Sequence, residues 1–222
     1  VKFMRSPGRR ERRGAVVRLT LLGTQGWIPT GSRETTCFAV EDGKRLLLID
    51  AGTGFRRLFT PPFRRLVDEH SEIHLLLTHY HLDHVCGLAY LPAALARRRV
   101  TVHAPAASLT GVDPHEALGG LIRQPYNPRP WDDLTEATLE EVHAGDNEIA
   151  GHRVAVRAQR HSDTSVAYRL DDALVVATDT TVDPATAEFA AGAAVLLHEA
   201  WYVGESPGPG VPASLRPGYA AH

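Results

Sequence analysis

Residues 73–84 read Ile-His-Leu-Leu-Leu-Thr-His-Tyr-His-Leu-Asp-His. The run from Ile73 to Leu77 is short, apolar and bounded by polar residues, the pattern of a buried strand. It then delivers His79, His81, Asp83 and His84 within a few positions. Imidazoles and a carboxylate crowded at a strand end repel one another if protonated and need partners if buried. A divalent cation supplies the missing charge, and neutral imidazole with carboxylate is the donor set of zinc and its borderline neighbours. In an extended turn His79 and His81 point the same way, while Asp83 and His84 come round on the next turn. That arrangement can serve two ions lying side by side.

Thr78-His79-Tyr80-His81-Leu82-Asp83-His84 resembles the HxHxDH signature of the metallo-β-lactamase superfamily. Later motifs arrive in that family's order, so the resemblance covers nearly the whole chain. It implies an α/β fold, a four-layer αββα sandwich with a dinuclear metal site at one edge. His161 opens His-Ser-Asp-Thr-Ser-Val-Ala-Tyr and is similar to the third imidazole of the ribonuclease Z and phosphodiesterase branches. Asp179, after the apolar run Leu174–Ala177, is similar to the bridging carboxylate, with Thr178 and Thr180 as candidate orienters. The implied ligand set is His79, His81 and His161 for one metal, Asp83 and His84 for the other, and Asp179 for both. Asp50, in Asp-Ala-Gly-Thr-Gly, resembles the Asp that buttresses the metal loop; a simple Asp turn is the alternative.

His198-Glu199-Ala200 resembles the His-Glu-Ala-Thr element of ribonuclease Z relatives, with Trp201 where they carry Thr. There the Glu pairs with a downstream His over the scissile phosphate, and His222 sits at a fitting distance. Asp83, Glu199 and His222 are therefore the candidate catalytic residues. The family supplies one further His ligand beyond the His222 position. The polypeptide is thus expected to be incomplete, short of a C-terminal helix and strand, with apolar surface exposed around 194–197. Only a short hairpin fits between His161 and Asp179, where ribonuclease Z commonly inserts its tRNA-gripping arm, which weakens a tRNA-processing reading.

The 222 residues suit one well-buried domain, expected over 15–222, behind a basic leader at 1–14. Lys2, Arg5, Arg9, Arg10, Arg12 and Arg13 stand there against Glu11, yet the net charge is −2, so the rest is mildly acidic. That balance argues against a broad nucleic-acid face. Cys37 and Cys86 are the only cysteines, which gives no disulfide framework and fits a reducing cytoplasm. Cys86 reads as a small buried residue. No membrane span or signal peptide is evident.

Strands are expected at 15–22, 36–40, 45–49, 100–103, 138–143, 153–159, 165–170, 174–177 and 194–197, with a turn at Gly145-Asp146-Asn147. The first strand ends at Gly23-Thr24-Gln25-Gly26, a turn leading into Trp27-Ile28-Pro29. Helical character is expected over 55–69, broken at Pro61-Pro62, over 85–99, and over 181–193. Residues 104–135 read as a loop or lid, with Tyr126, Arg129 and Trp131 as candidate substrate contacts. His70, His74, His103, His115, His143 and His152 carry no motif context.

The function expected is metal-dependent hydrolysis through a hydroxide activated by two divalent ions, zinc first, with manganese or iron as substitutes. The favoured substrate is a small-molecule or nucleotide phosphodiester; nucleic acid is less favoured, no membrane partner is expected, and a homodimer stays open. The alternatives are thioester, lactone or β-lactam hydrolysis, ribonuclease Z-type tRNA 3′ cleavage, and a non-catalytic metal-binding module.

Overall fold

The first sheet begins with β1 (Arg18–Gly23), β2 (Cys37–Glu41) and β3 (Leu46–Ile49), paired antiparallel. It continues in parallel through β4 (Glu72–Leu76), β5 (Arg99–Pro105) and β6 (Ala137–Val142). The second sheet is built from β7 (Gly145–Ile149), β8 (His152–Arg160), β9 (Thr164–Leu170), β10 (Leu174–Ala177) and β11 (Val195–His198). Its spatial order is β11-β10-β9-β8-β7, and β10–β11 is its one parallel pair among the described residues. This computed structural model describes residues 18–43, 45–94 and 98–200. The expected leader, the start of the first strand at 15–17, Trp201 and His222 lie outside them.

The central strands are apolar on both faces because both faces are covered. Leu46, Leu48, Ile73 and Leu75 pack with Phe55, Leu58, Leu66 and Leu88 on the helical side. Leu47, Ile49 and Leu76 alternate to the other side and meet Val154, Val156, Val166, Tyr168 and Val176 of the second sheet. The helices are α1 (Arg64–Asp68), α2 (Leu82–Val85), α3 (Leu91–Ala94), α4 (Ala107–Thr110), α5 (Pro114–Leu121) and α6 (Ala185–Ala190). Residues of α1, α2 and α5 join the core outside the first sheet. The segment carrying α6 is fixed to the second sheet by Arg157, which donates to Asp183 at 2.6 Å and Thr186 at 2.8 Å, and by Arg169, which donates to the Phe189 carbonyl at 2.6 Å. The expected order of layers, αββα, is the one observed.

Several element boundaries depart from the sequence reading. The helix expected over 85–99 is three short pieces: α2, a 3-10 segment over Cys86–Tyr90, and α3, while Arg99 already belongs to β5. A continuous α-helix would drive the Pro92 ring into the carbonyl of Leu88. Gly145-Asp146-Asn147 opens β7 rather than turning; the reversal falls at Ala150 and Gly151, both at positive φ. The helix expected over 181–193 covers only α6.

Residues 104–135 are not a lid. They form α4, α5 and a 3-10 turn at Trp131–Asp133, and Trp131 is buried in the core. Arg129 is spent on Asp133 and Glu136, and Tyr126 points to solvent. None of the three lines the cleft at the metal motif. His74 and His103 are core residues, buried and stacked at 5.3 Å. Val195 and Leu196 on β11 are exposed, while Leu197 is partly buried against the core between the sheets. No helix among the described residues is long and apolar enough to cross a membrane.

Gly87 sets the bend after the metal motif. Its N–H donates to the Ala51 carbonyl at 2.6 Å, and a Cβ there would lie 2.5 Å from Cβ of Phe55 and 2.7 Å from the Ala51 oxygen. Gly87→Ala is therefore expected to cost about 2–3 kcal/mol of unfolding free energy, as overpacking against backbone does. Urea denaturation followed by circular dichroism measures it, and a loss below about 0.5 kcal/mol would contradict this packing.

Candidate metal centre

β4 ends at Leu76, and the chain then leaves the sheet through Leu77 and Thr78 to place His79, buried, under the strand ends. His81 caps α2 with extended backbone, and Asp83 and His84 ride in that single turn. His161 follows β8 and Asp179 follows β10, so both sheets deliver donors to one edge. The rings of His79 and His81 lie 4.4 Å apart, those of His79 and His84 4.3 Å, and those of His81 and His161 5.0 Å. Ligand atoms of His79, His81, His161 and Asp179 converge within 4.8 Å of one another, and so do those of Asp83, His84 and Asp179. Asp179 is common to both groups. Its Oδ1 stands 3.1 Å from His84 Nε2 and its Oδ2 3.5 Å from His161 Nε2.

Asp50 organises this edge. Fully buried at positive φ, its carboxylate accepts from Thr78 N at 2.8 Å, from Thr78 Oγ1 at 2.9 Å and from His84 Nδ1 at 2.7 Å. The alternative of a simple Asp turn is not what the structure contains. Asp163, two residues beyond His161, holds His81 Nε2 at 2.9 Å, while His81 Nδ1 faces His161 Nε2 at 3.2 Å. Sequence reading passed over Asp163, because its contact with His81 bridges 82 residues and leaves no spacing signal. The hydroxyls of Thr178 and Thr180 make no hydrogen bond to Asp179. Thr180 Oγ1 turns to the Thr181 carbonyl, Thr178 Oγ1 is buried without a hydrogen-bond partner among the described residues, and the Asp179 carbonyl accepts from Ser165 Oγ at 2.8 Å.

Glu199 is a backbone anchor in the described residues: its Oε2 accepts from Thr180 N at 2.6 Å, next to Asp179. Burial, and then the Asp179 charge, pushes its carboxyl up to about 8. The pairing expected with His222 lies outside the described residues. Cys86 is half-buried and lines the cleft rather than the core, with burial pushing its thiol up, so it is no thiolate.

The electrostatics favour a cation. Burial, then the neighbouring His84, pushes His79 down to about 2, so it is neutral. Burial also opposes charge on His84, but Asp50 and Asp179 outweigh it and hold His84 well above the usual imidazole range. Burial would raise Asp179, yet His84, His79 and His161 bring it below the usual carboxylate range. Within the buried Asp50–His84 pair the proton belongs on the imidazole, since Nδ1 is the atom facing Asp50. The Nε2 atom of His79 is buried with no hydrogen-bond partner among the described residues, and that of His84 has carboxylate oxygens of Asp179 and Asp83 at 3.1 and 3.5 Å. A divalent ion would satisfy the first and take the place of the proton on the second without disturbing the Asp50 bond. The residues fit the group.

Asp50→Asn would put an amide donor against a donor, at Thr78 or at His84. Orienting partners of this kind are worth about 10- to 100-fold in metal affinity. The expected outcome is a loss of that size in a zinc–chelator competition, with the far-ultraviolet circular dichroism of the wild type. Unchanged affinity would show that Asp50 does not set the His84 ring.

The family model of the beta-lactamase superfamily domain matches residues 45–213. A ribonuclease Z of Methanopyrus kandleri is 32% identical over 162 residues, 69% of this chain and 50% of that protein. The chain spans about half the length of the curated relatives it matches. Among solved structures, the metallo-beta-lactamase fold protein YhfI from Bacillus subtilis superposes with a TM-score of 0.66 at 18% identity, covering 86% of this chain and 74% of that one. A diphosphatase of the PhnP family gives 0.59 at 22%, covering 87% and 76%. The family match, the shared fold and the ordered HxHxDH, His161 and Asp179 elements lead to one assignment: the chain belongs to the metallo-β-lactamase superfamily.

Proposed function

We propose that the chain is a metal-dependent phosphodiesterase acting on a small-molecule or nucleotide phosphodiester. The observation that carries the reading is Asp179, whose two oxygens face two separate donor groups across a few ångströms. His79, His81 and His161 would hold one divalent ion, Asp83 and His84 the other, and Asp179 both, with zinc the best match to the donors. Ions bound there supply Lewis-acid polarisation of a phosphoryl oxygen and make water a stronger acid.

The chain's own groups handle position and protons. Hydrolysis adds water across a P–O bond, so one proton leaves the water and one reaches the departing oxygen. Asp83 stands in the wall of the cleft, its Oδ2 fixed by Trp27 N at 2.6 Å, and is the group assigned to orient the water and accept its proton. Glu199, through Thr180, holds the turn that aims Asp179. Protonation of the leaving group is assigned to His222.

The names of the relatives support phosphate chemistry: ribonuclease Z for the Methanopyrus protein, diphosphatase for the PhnP-family structure. The cleft favours a small substrate over tRNA. It encloses about 740 Å³, within the range of small-ligand sites, and no Lys or Arg is among its described lining residues. β9 and β10 are joined by a turn at 171–173, with no arm inserted.

Asp83→Ala is expected to lower turnover of bis(p-nitrophenyl) phosphate by at least about 100-fold, the scale of a lost general base. It should also weaken one ion and spare the fold. Turnover within a few-fold of wild type at saturating zinc would remove Asp83 from the mechanism. Tight zinc binding by the wild type without any turnover would favour the metal-binding module instead.

A further inference from the structure

The same cleft has an apolar, exposed lining beside the donors. Trp27, Ile28 and Leu82 are 61%, 60% and 65% exposed, and with Pro29 they line the cavity together with His81, Asp83 and His161. Three large apolar side chains left in water around one cleft mark a surface that waits for a ligand. Trp27 is also held where an aromatic residue rarely sits, at φ 55°. The turn is fixed by Ile28 N donating to the Gly26 carbonyl at 2.8 Å and by Trp27 N donating to Asp83 Oδ2 at 2.6 Å. Flanking contacts from Thr24 N and Gln25 N to the Glu34 carbonyl, each 2.9 Å, hold the loop base. The backbone thus bears an unfavourable conformation that presents an indole beside the candidate catalytic carboxylate.

We propose that Trp27 is a stacking platform that selects phosphodiesters bearing a nucleobase on one ester group, a specificity that rests on the hydrolase reading for the phosphate half of the ligand. An indole offers a flat face to a flat ring, and every base has such a face. Ile28 and Leu82 extend the platform at its edges, where a base would otherwise meet water. Among the described lining residues there is no Lys or Arg, the side chains that track a polyphosphate or a long backbone. A single nucleotide, with its phosphate at the donor cluster and its base on Trp27, would use the polar and the apolar lining at once.

The test measures affinities of the zinc-loaded chain by calorimetry for adenosine 5′-monophosphate, ribose 5-phosphate and adenosine, in the wild type, Trp27→Phe and Trp27→Ala. Both variants keep the backbone N–H that Asp83 accepts, and zinc content is measured alongside. The wild type is expected to bind the nucleotide about tenfold or more tightly than ribose 5-phosphate, the scale of one stacked base. Trp27→Phe should keep most of that preference and Trp27→Ala should lose it. Equal affinities in the wild type, or a preference surviving in Trp27→Ala, would overturn the platform. Adenosine separates the two readings. If adenosine binds through Trp27 as tightly as the nucleotide does, the platform stands and the phosphodiesterase reading falls. If neither adenosine nor the nucleotide binds, the platform falls.

Discussion

One buried carboxylate, Asp50, ties the site to the fold. It stands at the end of β3, is fully buried, and takes hydrogen bonds from Thr78 and from His84 Nδ1. A buried charge is tolerated only when its oxygens are satisfied, so Asp50 fixes the path of the chain as it leaves β4. The same bonds set the His84 ring with Nε2 facing inward. Gly52 and Gly87 pack beside it because the backbones there approach too closely for any Cβ. The metal-binding stretch is therefore held by β3 and by the glycines around it as much as by its own short helix.

His79, His81, Asp83 and His84 were legible from their chemistry, because imidazoles and carboxylates crowded at a strand end call for a cation, whereas His161 and Asp179 were legible only through the family resemblance. Donor atoms of the six lie in two groups that share Asp179. The β-strands were legible from apolar runs and alternation. What escaped was decided by tertiary contact. The helix expected through Arg99 yields to Pro92 and to the pressure of Ala51 and Phe55 on Gly87. Residues 104–135, rich in turn formers, pack as helices because Leu118, Ile122 and Trp131 complete the core. Asp163 acts through space on His81 and Trp27 through its backbone on Asp83, and neither contact has a spacing signature.

The lining of the cleft combines two chemistries. The donor cluster concentrates carboxylates and imidazoles, a set that attracts cations. Trp27, Ile28, Pro29 and Leu82 make much of the remaining lining apolar. The hydrogen bond from Trp27 N to Asp83 joins the two, so a shift in the Trp27 loop would be felt at the donor cluster. Glu199 completes the frame from the second sheet by fixing the turn that carries Asp179.

Anomalous diffraction at the zinc edge from crystals of the zinc-loaded chain tests the central claim most directly. The account predicts two peaks about 4 Å apart. One should sit among His79, His81 and His161, the other beside Asp83 and His84, with Asp179 contacting both. A single peak that leaves Asp83 and His84 without an ion, or no peak with the donors turned apart, would contradict it.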